Sequence, residues 1–162
     1  MENVIRYFSG EQAESYLFLA MGLLGLSFGM YLLVATGDAF LKGVAIPLVA
    51  VALLELVVGY TIVTRSPKDI ERVRAMIDNP TELRTKEVPR MQTVIRNFVI
   101  YRYVEMALIA AGIALMYGSA AHGLYQGIGV GLFSQASIVL LLDFFAERRA
   151  HEYMAHLQSL VS

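Results

Sequence analysis

Four stretches of about twenty mostly apolar residues dominate this chain, each long enough to cross ~30 Å of hydrocarbon at ~1.5 Å per helical residue. Leu17 to Val34 and Val44 to Leu54 contain no charged residue at all. A water-soluble helix would show a polar residue every third or fourth position, and whole turns here pass without one. The composition agrees: 57% of residues are hydrophobic and 17% charged, and the mean hydropathy is +0.57. These values are too apolar for an ordinary soluble domain. They predict an all-α, integral membrane, antiparallel four-helix bundle in contact with a lipid bilayer.

The predicted spans are 15–36, 43–64, 98–118 and 122–145, within a single membrane domain covering residues 1–162. Gly37-Asp38 and Gly118-Ser119 supply the two tight turns. The connector 65–97 carries Arg65, Lys68, Arg72, Arg74, Arg84, Lys86, Arg90 and Arg96. Arg6, Arg148 and Arg149 fall on the same side, against Lys42 alone on the other. The positive-inside bias therefore predicts a cytoplasmic connector, N-terminus and tail 146–162. The N-terminus shows neither a basic run nor a small-residue cleavage site, so the first span is expected to act as its own insertion signal. Residues 1–12, with Val4, Ile5, Tyr7 and Phe8 beside Glu2 and Arg6, suit a short interfacial segment.

The connector reads as two cytoplasmic amphipathic helices. Ser66-Pro67-Lys68-Asp69 is a start signal, followed by Ile70, Val73 and Ile77 on one face until Asp78-Asn79-Pro80 stops the helix. A second start lies near Thr85 and Pro89. Its stripe of Val88, Met91, Val94, Ile95 and Phe98 is expected to run into the third span. The two hairpins also echo one another: Met30-Tyr31 recurs as Met116-Tyr117, and Lys42-Gly43 and Arg65 are matched by Gln126-Gly127 and Arg149.

Small residues allow close helix approach in lipid, where apolar side chains gain little from association. Gly123, Gly127 and Gly131 form such a stripe on span four, with Gln135 continuing it, and Gly22, Gly25 and Gly29 form one on span one. These faces pack either within the bundle or against another protein. Ionisable residues inside spans are costly and are the leading functional candidates. On the helical rise, Arg102 and Asp143 lie roughly 6 Å deep, Glu105 roughly 10 Å and Glu55 roughly 13 Å. Arg102 is expected to be shared between Glu105 and Asp143. Tyr60, Tyr101 and Tyr103 could donate hydrogen bonds at that level. The cluster fits a structural network, a proton or cation relay, or a pocket for a ligand or headgroup.

Several chemistries find no support. Without cysteine there is no disulfide, thiolate ligand or cysteine nucleophile. A net charge of −1 gives no footprint for nucleic acid. Glu147–His151 and Glu152–His156 have i,i+4 spacing on the tail, and His122 stands alone, so no metal site is expected. The glycines of span four are not a phosphate loop, and no Ser-His-Asp set assembles on one side of the membrane. Neither a cofactor nor a catalytic residue is assigned.

Two segments carry resemblances. Glu71 to Asn79 (ERVRAMIDN) is similar to the Glu-Arg…Ala…Asn-Asp signature of MAPEG proteins, four-span glutathione-dependent membrane enzymes. Its Arg-to-Ala spacing is one residue shorter, its final pair is reversed, and it falls between spans two and three, so no catalytic role is carried over. Phe98 to Glu105 (FVIYRYVE) and Leu141 to Arg149 (LLDFFAERR) make the chain resemble small four-span bacterial inner-membrane proteins, which bring no activity to transfer. The leading expectation is a non-enzymatic inner-membrane interaction protein, an accessory subunit or immunity-type factor, with a membrane-protein partner or as a homo-oligomer. The alternatives are a small proton- or cation-coupled carrier or channel, and a MAPEG-like enzyme acting on a lipid or thiol.

Overall fold

The computed structural model describes residues 2–118 and 123–161, and Ser119 and His122 lie outside them. Five α-helices account for nearly all of this: α1 (Glu2–Ala35), α2 (Ala39–Met76), α3 (Pro80–Glu82), α4 (Val88–Gly118) and α5 (Gly123–Val161), with a π-helical turn at Leu83–Glu87 joining α3 to α4. Four helical stretches, the third running Pro80–Gly118, are long and apolar enough to cross a membrane. In the most apolar window of each, 22% of residues at most are buried inside the protein.

Local chemistry sets the helix ends. Asp38 caps α2, its side chain accepting from the Leu41 N–H at 2.9 Å. Asn79 caps α3 by accepting from the Glu82 N–H at 3.3 Å, with Pro80 at the first position, where its missing N–H has no consequence. The stop at Asp78-Asn79-Pro80 is thus present, but the expected start at Ser66-Pro67 is not. α2 runs unbroken through Pro67. Pro67 removes one ladder bond, while Ser66 Oγ donates to the Ile62 carbonyl at 2.9 Å and Thr64 Oγ1 to the Tyr60 carbonyl at 2.9 Å. The connector is therefore the end of one long helix and the start of another. Residues 4–12 likewise belong to α1 instead of forming a separate segment.

The inner helices are α2 and α5, packed on each other; α1 packs on α2 and α4 on α5. α1 and α4 make no substantial contact with each other among the described residues, so the four run in the order α1–α2–α5–α4. The main buried apolar cluster lies at one end of this row. There Val4 and Phe8 of α1, Val73 of α2, Leu83, Met91 of α4 and Leu157 of α5 form a buried apolar cap.

The two hairpins repeat one packing scheme. Gly43 meets the Leu124 carbonyl and Gly127 meets the Phe40 carbonyl, so each contact is the image of the other at an offset of 84 residues. The same offset relates the buried pairs Ala52 and Ala136, Ser66 and Ala150, Asp69 and Tyr153, and Val73 and Leu157. On the outer helices the offset is 83: Gly29 faces Ala45 and Val49, and Gly112 faces Gly129 and Phe133. Met30-Tyr31 and Met116-Tyr117, three residues out of that register, are not equivalents.

Candidate functional site

The ionisable residues of the spans come together on one side of the bundle in part only. Glu105 of α4 is buried, and it and the half-buried Asp143 of α5 approach each other across the α4–α5 seam. Glu55 of α2 is buried as well. One carboxyl oxygen on each of Glu55 and Glu105 is sealed from solvent and has no hydrogen-bond partner. Buried polar atoms without partners are rare because each costs on the order of 1–3 kcal/mol.

Arg102 is not shared between Glu105 and Asp143. Its Nη2 donates to Glu147 instead. Helical side chains lean toward the N-terminus of their own helix, and that end of α4 is the cap. The long arginine therefore extends toward Glu147, one turn beyond Asp143, and away from Glu105. Tyr60, Tyr101 and Tyr103 do not join the cluster. Each turns outward, Tyr60 because the inward face of its turn belongs to Gly59, which meets Ser15 and Leu19 of α1. Gln135 is half-buried on α5.

The glycine stripes are occupied within the chain. A Cβ at Gly22 would stand 2.8 Å from Leu56, one at Gly25 3.2 Å from Ala52, and one at Gly29 2.6 Å from Val49. Gly127 sits on the Phe40 carbonyl, Gly131 on Pro47 and Val44, and Gly123 in ordinary contact with Phe40 at 3.6 Å. Neither stripe is left open for another protein.

The richest polar constellation is one that the sequence reading missed, and it lies in the cap. Glu87, fully buried, accepts from Arg90 Nε at 2.9 Å and Nη2 at 2.6 Å. It also accepts from the Tyr153 hydroxyl at 3.2 Å and lies 3.6 Å from Arg72. Arg72 bridges to buried Asp69 at 3.1 Å, Asp69 to Arg65 at 2.9 Å, and Arg65 to Glu11 at 3.1 Å. Arg149 pairs with Glu14 in a two-pronged bridge. Tyr7 stacks on Tyr153 with ring centroids 4.4 Å apart, and the Arg90 guanidinium lies over Phe8.

Burial pushes the Tyr7 and Tyr153 phenols well above their ordinary range. Burial also raises the Glu11 carboxyl, outweighing Arg65 beside it. For Arg90, burial opposes the charge, but the hydrogen bond to Glu87 prevails and holds the guanidinium charged. The only signal for this network in the sequence was the i,i+3 and i,i+4 spacing of Arg65, Asp69 and Arg72 and of Glu87 and Arg90. Nothing local showed that Asp69 and Glu87 turn inward.

With the geometry in place, comparison brings no analogue: no family model matches the chain, and no curated protein or solved structure matches it either.

Proposed function

We propose that this chain is a multi-pass protein of a bacterial inner membrane, an antiparallel four-span bundle with both termini and the charged cap in the cytoplasm. Its role on this reading is non-enzymatic, as an accessory subunit or immunity-type factor that associates with a membrane partner or a second copy. The carrying observation is the row α1–α2–α5–α4. On the outer helices, Leu24, Phe28 and Val34 of α1 and Tyr103 and Tyr117 of α4 stand exposed. Association would use these outer flanks and the cap, since the glycine stripes are filled from within. Cross-linking in intact membranes followed by purification in mild detergent tests the reading. A discrete heteromeric or homomeric species is expected; a lone monomer both in the membrane and after extraction overturns it.

A second reading, a proton- or cation-coupled carrier, is favoured by the partnerless carboxyl oxygens of Glu55 and Glu105. Intramembrane carboxylates commonly mark ion pathways. Purified protein in liposomes would then show flux that Glu55→Gln abolishes without loss of fold. Wild-type liposomes as tight as protein-free ones exclude this reading.

A further inference from the structure

The repeat makes a comparison that a single hairpin cannot offer. At the registers established above, Arg102 and Glu147 of the second hairpin correspond to Leu19 and Val63 of the first. Hairpin one carries apolar residues at both of these places, so the shared packing scheme does not itself call for charge there. Those charges border a groove of about 510 Å³ between α4 and α5, lined by Phe98, Leu140, Leu141 and Phe144, with Ser137 at its far end. Its size falls in the range of small-molecule sites. Arg102 is half-exposed and bonds Glu147 through one nitrogen, while a guanidinium carries five N–H donors. Glu147 also has His151 at 3.7 Å.

We propose that this groove is a binding site for an aminophospholipid, a lipid with a phosphate and a primary ammonium in its headgroup. The proposal rests on the membrane reading above. An acyl chain lies along Phe98, Leu140, Leu141 and Phe144. The phosphate takes the free N–H groups of Arg102, which offer the planar geometry suited to phosphate. The ammonium donates to Glu147. Charge complementarity selects this occupant. A cation and an anion side by side match a zwitterionic headgroup, whereas Glu147 would repel a purely anionic one. A choline headgroup carries no N–H to give Glu147.

The test uses the full-length protein, delipidated in detergent and titrated in native mass spectrometry with phosphatidylethanolamine, phosphatidylglycerol and phosphatidylcholine of identical chains. Phosphatidylethanolamine should bind first, as a single tight lipid. Arg102→Gln should weaken it by about tenfold, the loss of one charge-assisted hydrogen bond. Glu147→Gln should weaken phosphatidylethanolamine but not phosphatidylglycerol. Leu19→Gln and Val63→Gln, at the matching places of hairpin one, should leave the order of lipid binding unchanged. Arg102→Lys, which keeps the charge and loses the fork, guards against a folding defect and should fall between wild type and Arg102→Gln. Equal retention of all three lipids, a preference for phosphatidylglycerol, or indifference to both Arg102 substitutions overturns the site. So does a cross-linked dimer seated through Phe144. Carbonate washing of membranes separates the two levels: release of the protein sinks the membrane reading itself, whereas retention with no lipid preference sinks only the groove.

Discussion

Gly43 and Gly127 lie back to back on α2 and α5, so close that a Cβ on either would stand 3.0 Å from the Cα of the other. Each also meets a carbonyl of the opposite helix, Leu124 in one case and Phe40 in the other. This reciprocal contact is the pivot of the repeat.

Forcing the pivot apart should cost stability. Gly127→Leu or Gly43→Val is expected to destabilise the protein by about 1–3 kcal/mol, the usual penalty for overpacking a closed contact. Gly37→Ala, where nothing lies within 4 Å, should be near neutral. Thermal melting in detergent separates the two, and equal melting temperatures for Gly127→Leu and Gly37→Ala would disprove the close packing.

Glu87 should be the least replaceable charge in the cap. Its removal takes from the largely buried Arg90 its hydrogen-bonded counter-ion, a change that typically costs about 3–5 kcal/mol. Tyr153→Phe deletes a single hydrogen bond to the same carboxylate and should cost about 1 kcal/mol. Urea titration of both variants gives the ranking, and a Glu87→Ala protein as stable as Tyr153→Phe contradicts the hub.

Glu11 supplies a pH dependence whose sign can be worked out. Burial raises its folded-state value above the ordinary 4.5, so the folded chain holds this proton more tightly than the unfolded one. The stabilisation is complete below the ordinary value and is lost as pH rises through the raised one. Glu11→Gln should flatten that decline across the acid range. A melting-temperature profile that keeps its slope in the variant assigns the effect elsewhere.

Glu55 predicts a gain. Its sealed oxygen has no partner, so Glu55→Leu should leave the protein as stable as wild type or more so, because the cost of a buried unsatisfied group disappears. If the variant instead unfolds, Glu55 is part of the packing and not a group held in place for function.

Much of the helical text was readable because it depends on local pattern. Long uncharged runs, Gly37-Asp38 as a turn and Asp78-Asn79-Pro80 as a stop all act within a few residues. The misreadings share a cause: partners distant in sequence. Ser66-Pro67 reads as a start only while Val73 and Met76 have no core to join, and the cap built from α1, α4 and α5 gives them one. Residues 4–8 look interfacial until Tyr153, far along the chain, stacks on Tyr7. The polar positions of the spans were visible one at a time. Their pairing was not, because the choice of Glu147 over Asp143 by Arg102 depends on the lean of a side chain and the register of α4 on α5.

The π-helical turn at Leu83–Glu87 has a mechanical meaning. One residue more or less in a helix swings everything beyond it by about 100° around the axis. The turn thus sets the rotational phase of α4, letting Glu87 and Met91 point into the cap while Glu105 and Gly112, further along the same rod, point at α5. A residue inserted into or deleted from this turn would rotate Arg102 and Glu105 off the α5 seam by about 100°.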